Sequence, residues 1–410
     1  MNFLKSLLIL SHTLFYFPLQ AQQTLAFSPA SYSDFIQQAS TEKKPVMIYF
    51  TGTGCSLCKI MEREVFNQEK IFSFYNQYFI NVESFDDFKK PDPATKALRL
   101  KYEIISNPTF IFIDSNGTVI HKAGYKTADD FLAIGKQALS TDNYRSWKDT
   151  IETGNFDAAL LFKYLSVEQN ASLYAESGYE CAAQSALNKY FSSIPLSATQ
   201  LPENWAIIER FVANPYSDVF NYLLENCISF EKKYGRESVN KKIFLVYKHA
   251  WSGNTGSASY KKAESLVLNS NHPMAKTLIS FRKMSVEYEQ IIAQQTDWNS
   301  FLKTYDTLVI RYSYIAEPYW IYRITDDINN RKVLNKKALE TSHNWMQAIL
   351  KHPENEDEFY LAAYAKSCYL LGKLPEAILS QEKALALAES RNIDAEDIEL
   401  MISDLKTYKK

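Results

Sequence analysis

The apolar pattern changes character partway along the 410-residue chain. Up to Leu139, short apolar runs alternate with stretches of helical periodicity, and beyond Thr141 only the helical periodicity persists. Pro45 to Phe50 is apolar, β-branched and aromatic throughout, which predicts a strand buried on both faces. Thr51 to Gly54 interrupts it, and a helix is predicted from the cysteines through Val65 and Phe66. Further strands are expected over 78–82, 109–113 and 118–122, the last two flanking Asn116-Gly117, a strong hairpin signal. Helices are expected over 33–39, 93–102 and 129–139, with Ala97, Leu98 and Leu100 on the inner side of the second. Strands interleaved with helices and closed by a hairpin predict an α/β domain, a mixed sheet flanked by helices.

From Thr141 onward, breaks at Gly154, Pro195, Gly235, Pro273, Pro318 and Pro353 leave segments of helical length. That texture is expected of stacked helical hairpins, so an all-α helical-repeat domain is predicted over 141–410. Within it, LAAYAKSCYLLGKLPEAILSQEKALAL from Leu361 to Leu387 places small or aromatic residues (Ala365, Tyr369, Ala377, Ala384) where two antiparallel helices would touch. Leu371-Gly372 would end the first helix and Pro375 open the second. This run resembles a tetratricopeptide repeat, although Leu361 stands where the family has Trp. A fainter echo runs from Gly154 to Leu165. The resemblance implies a TPR-like surface able to bind a peptide or a partner protein.

The first residues read as an export signal. Lys5 gives a positive start, an apolar stretch follows from Leu7 to Leu19, and Ala21 is a small residue at the expected cut. A membrane span needs roughly 20 apolar residues, more than this stretch supplies. We therefore expect a signal peptide over 1–21, a thioredoxin-sized α/β domain over 22–140, and no membrane span after cleavage; an uncleaved anchor is the alternative. Export places the protein in the periplasm or outside the cell, where disulfide chemistry operates.

Composition narrows the function classes. A net charge of −2 offers nothing to nucleic acid or to an anionic membrane. Glycine is scarce, with 11 residues, against 27 tyrosines and 25 phenylalanines, which favours packed helices over turn-rich β architecture. The five cysteines are too few and too scattered for a disulfide scaffold. Cys181, Cys227 and Cys368 lie singly in helical patterns and read as small buried hydrophobes, with a long-range bridge among them left open.

Cys55 and Cys58 are different, because they follow a buried strand and open a helix. A sulfur at a helix N-terminus meets free N–H groups and the positive end of the dipole, so its thiolate is stabilised. The second sulfur, one turn in, can attack a mixed disulfide formed by the first. A zinc site would need two more Cys or His ligands at motif-like spacing, and His121 and the distant cysteines do not provide them. No metal and no cofactor is predicted.

Residues 44–139 resemble the thioredoxin superfamily, in particular the C-terminal periplasmic domain of disulfide reductases of the DsbD type. The resemblance rests on KPVMIYFTGTGCSLCKIMEREVF, on Asn107-Pro108-Thr109 before a strand, and on Gly117 and Gly124. It implies Cys55 and Cys58 as the catalytic dithiol, with Gly54, Asn107 and Pro108 forming the substrate-binding rim. Pro108 would be cis and would expose backbone groups to an extended client. It also implies Glu62, one turn beyond Cys58, as a proton acceptor; the alternative is a plain surface carboxylate paired with Lys59 or Arg63. Two departures stand out. Gly54 precedes the first cysteine where thioredoxins have Trp, and Tyr49 occupies the place of their buried strand acid.

These features predict an exported thiol–disulfide oxidoreductase. Its partners would be disulfide-bearing substrate proteins and an unidentified redox partner. The competing readings are a non-catalytic interaction scaffold and a chaperone that uses only the helical domain. The export reading is directly testable: N-terminal sequencing of the envelope protein should find Gln22 first, and finding Met1 would refute it.

Overall fold

Every residue of the strand Val46–Gly52 (β1) is buried, because it lies inside the sheet and has helices on both faces. In the computed structural model, Ile80–Asp86 (β2) pairs with it in parallel and Thr109–Ile113 (β3) antiparallel. Val119–Ala123 (β4) completes the order β2-β1-β3-β4, with a register shift between Phe112 and Ile113. The described residues are 24–28, 31–87, 89–90, 92–168, 182–294, 298–330, 336–391 and 393–410. The predicted signal segment and Cys181 lie outside them.

Alternation along the strands sorts their side chains onto two faces. Met47, Tyr49, Phe110 and Phe112 join Met61, Phe66, Tyr75 and Phe131 in one core. Val46, Ile48, Phe50, Ile111 and Ile113 join Phe35, Ala39, Tyr102 and Ile104 in the other. Each such apolar side chain contributes roughly 1.5–3 kcal/mol through burial. The first core is covered by helices Ser56–Ile60, Glu69–Tyr78 and Ala128–Leu139, the second by Tyr32–Glu42 and Pro93–Lys101. This is a thioredoxin-like mixed sheet flanked by helices.

Two local expectations are corrected. Helix Glu69–Tyr78, absent from the predicted order, buries Ile71, Phe72 and Tyr75 behind the dithiol helix. In Pro93–Lys101, Ala97 and Leu100 face outward, Leu100 being 72% exposed, while Thr95, Leu98 and Arg99 turn inward. The inward place that hydrophobicity would give to Leu100 goes to Arg99, which has polar partners there.

The predicted boundary at 140/141 falls inside the first compact unit, which among the described residues continues through Glu168 and includes Ala182–Ser193. Polar contacts hold helix Tyr144–Thr153 to β4 and its turn. Arg145 Nη2 donates to Asp114 and to the Thr118 carbonyl, both at 2.8 Å, and Nε donates to the Val119 carbonyl at 3.2 Å. Lys122 pairs with Glu168 at 3.3 Å, and the Tyr144 hydroxyl bonds the same carboxylate. At the centre, the Tyr144 N–H donates to His121 Nδ1 at 3.1 Å, and the fully buried His121 ring packs against Trp147.

The second unit, Ile194–Lys410, is helical, and among the described residues no strand occurs after Ala123. Its hairpin of Glu358–Leu370 and Leu374–Arg391 is closed by Gly372, whose φ is +76°. Ala365, Cys368, Ala377 and Ala384 are fully buried there, and the small alanines let the two helices lie close. Cys227 and Cys368 are free thiols. Among the described residues, no helix is long and apolar enough to cross a membrane.

The His121 joint gives a pH dependence. Burial lowers its pKa from 6.5 to about 4; Asp142 opposes the shift and Lys126 adds to it. A depressed histidine pKa means that stability is fully present above pH 6.5 and is lost as pH falls toward 4, by roughly 3 kcal/mol in all. Hydrogen-exchange protection factors over residues 119–147, corrected for the intrinsic pH dependence of exchange, should therefore fall across that window. His121→Gln, which keeps an acceptor without a titrating ring, should flatten the response; equal slopes in the two proteins would rule His121 out as its source.

Candidate functional site

β1 ends in a turn that delivers Cys55 to the N-terminus of helix Ser56–Ile60. Gly54 makes the turn with φ +79°, a left-handed conformation that costs a residue with a Cβ about 1 kcal/mol or more. Cys55 is itself the N-cap: its Sγ accepts the Cys58 N–H at 3.1 Å, and its own N–H donates to the Gly52 carbonyl at 3.3 Å. The two cysteines form a disulfide with a Cα separation of 5.3 Å. Their exposure is unequal, since Cys55 is half-buried and Cys58 buried, while Ser56 and Leu57 between them face solvent.

The helix continues as a π turn over Met61–Val65, and this brings Glu62 beside β1. The Tyr49 hydroxyl donates to Glu62 Oε1 at 3.0 Å, whereas Arg63 pairs with Glu64 at 2.6 Å. Burial pushes the Tyr49 phenol well above its ordinary pKa, and the Glu62 charge adds to the shift. The phenol therefore remains a donor and has no capacity to take up a proton; the neighbouring carboxylate has that capacity. Glu83 lies opposite Tyr49 on β2, and its carboxyl is shifted upward by burial and then by the charge of Glu62.

The Asn107–Pro108 bond is cis. The Asn107 side chain lies against the β1 end: a Cβ on Gly52 would come 3.0 Å from its Nδ2 and 2.7 Å from the Asp86 carbonyl. Arg99 Nη1 donates to Asn107 Oδ1 at 3.0 Å, and its Nε faces the Asp86 carboxylate at 3.5 Å. Gly52, Asp86 and Arg99 were not singled out from sequence. Gly52 carried a signal, as the first glycine of the break after β1, but the polar partners of Arg99 lie too far along the chain for local pattern to reveal. No group of His, Cys, Asp and Glu able to hold a metal occurs among the described residues.

Residues 32–139 match the thioredoxin-like domain family. The thiol:disulfide interchange protein DsbD of Campylobacter jejuni is 25% identical over 96 residues, 23% of this chain and 16% of DsbD. The disulfide bond reductase DsbH of Chlamydia pneumoniae is 21% identical over 112 residues, 26% of this chain and 68% of DsbH. The match thus spans 16% of the length of the DsbD relatives. Among solved structures, a DsbH oxidoreductase aligns with a TM-score of 0.26 and 22% identity, covering 28% of this chain and 85% of its own. A putative disulphide-isomerase from Bacteroides thetaiotaomicron gives 0.26 and 27%, covering 29% and 96%. The family match lies wholly within the N-terminal α/β part.

The two glycines before Cys55 should respond differently to a methyl group. Gly52→Ala forces backbone apart and should cost about 1–3 kcal/mol in chemical denaturation. Gly54→Ala meets no atom within 4 Å and should cost only its conformational strain, about 1 kcal/mol. A larger loss at Gly54 than at Gly52 would contradict the close approach at Gly52.

Proposed function

We propose that the protein is an exported thiol–disulfide oxidoreductase that reduces or exchanges disulfides of envelope proteins. The observation that carries this reading is the Cys55–Cys58 pair at a helix N-terminus, with Cys55 half-buried and Cys58 buried. In the reduced enzyme, Cys55 thiolate attacks one sulfur of a client disulfide; an S–S bond forms to Cys55 and a client thiolate leaves. Cys58 then attacks the Cys55 sulfur, which releases the second client thiolate and regenerates the Cys55–Cys58 disulfide. Two electrons pass to the client, so a dithiol donor must reduce the enzyme for the next cycle. Glu62, oriented by Tyr49, is the group we assign to take the Cys58 proton. Gly54, Asn107 and Pro108 form the rim against which an extended client would lie.

The helical unit is assigned a client- or donor-docking role in this scheme, resting on the TPR-like hairpin at 358–391. The leader-like segment over 1–21 is what supports an envelope or extracellular location.

Unequal roles for the two sulfurs follow. In the reduced protein, Cys55 should alkylate at least tenfold faster than Cys58. Cys58→Ser should accumulate mixed disulfides with clients, and Cys55→Ser should trap almost none. Glu62→Gln should slow resolution while leaving the first attack nearly unchanged. Equal alkylation, or trapping by the Cys55 variant, would reverse the assignment; absence of insulin reduction with any dithiol donor would favour the scaffold reading.

A further inference from the structure

Arg99 lies near the end of β1, where polar side chains from separate chain segments meet. It belongs to helix Pro93–Lys101, yet its guanidinium reaches away from that helix to two separate segments. Nη1 donates to Asn107 Oδ1 at 3.0 Å, immediately before the cis-proline. Nε faces the carboxylate of Asp86, the last residue of β2, at 3.5 Å. Both charged side chains are largely withdrawn from solvent, at 16% and 19% exposure, so water screens this pair less than a surface pair.

The third segment is reached through backbone. Asp86 pairs in register with Gly52, and its carbonyl accepts the Thr53 N–H at 3.0 Å. The Gly52 carbonyl in turn accepts the N–H of Cys55. On the other side, the Asn107 amide fills the space that a side chain at Gly52 would occupy. A single planar fork therefore ties the loop carrying Asn107 and Pro108 to the end of β2, whose backbone pairs with the β1 end from which the dithiol turn springs. Lysine, a point charge on a flexible stem, does not satisfy two acceptors in fixed directions in this way.

We infer that Arg99 is a positioning residue for this oxidoreductase: it holds the cis-proline loop in register with Cys55, so that an extended client chain meets loop and sulfur together. The inference rests on the redox reading for its function, though not for its geometry. Arg99 touches no reacting atom. Its contribution is orientation, and losing it should fall on large clients through KM more than on kcat.

The test uses the full-length protein, with insulin as the disulfide probe and dithiothreitol as donor. Arg99→Gln should raise KM for insulin about tenfold with kcat within about twofold. Arg99→Lys, which keeps the charge facing Asp86 but not the fork, should leave KM raised. Hydrogen exchange supplies a readout independent of turnover: in Arg99→Gln the amides of Asn107 and Thr109 should exchange about tenfold faster, with Phe110 to Ile113 unchanged. Unchanged exchange at Asn107 overturns the inference, as does a kcat loss equal to the KM effect or full rescue by lysine. If the wild type fails to reduce insulin, the redox reading falls, and the exchange measurement alone then decides whether Arg99 holds the loop.

Discussion

The approach of backbone to backbone at Gly52 governs the geometry around the dithiol. β1 is hemmed in by strands on both edges and helices on both faces, so its end has almost no freedom to shift. Its last residue must pass the Asp86 carbonyl and the Asn107 amide at distances that leave no room for a Cβ. That single steric condition sets where Thr53 and Cys55 begin, and hence where the helix N-terminus points its free N–H groups. The favourable placement of the Cys55 sulfur is thus inherited from packing in the sheet.

Much of this was legible from residue order, for reasons that can be assigned. Val46 to Phe50 could be read as a buried strand because both faces are apolar, and the cysteines could be read because helix N-termini act on sulfur through local geometry. Helix Pro93–Lys101 was harder. Periodicity put Leu100 inside, but a part-buried hydrogen bond and ion pair turned Arg99 inward and left the leucine in water. The 140/141 boundary was drawn where strands end, yet the contacts of His121, Lys122 and Arg145 with the next helices carry the first unit further. Such contacts join residues some 23 to 46 positions apart, beyond the reach of a local pattern.

In the proposed chemistry, Tyr49 stands where a chemical role has been relocated. Where thioredoxins place an acid within the strand, this chain has a phenol that burial keeps protonated, and a carboxylate from the adjoining π turn receives its hydrogen bond. In that reading the acidic group sits not in the sheet interior but at an exposed helix position, where water can exchange protons with it.

The two free thiols of the helical unit bear on the fidelity of exchange. Burial, followed for Cys227 by the Glu231 carboxylate, pushes Cys227 up to about 11; burial does the same for Cys368. At neutral pH only on the order of one such sulfur in ten thousand is a thiolate, the form that attacks disulfides. In the proposed exchange, a client held on Cys55 therefore meets little competition from these two cysteines. Their inertness disfavours dead-end internal crosslinks through Cys227 or Cys368.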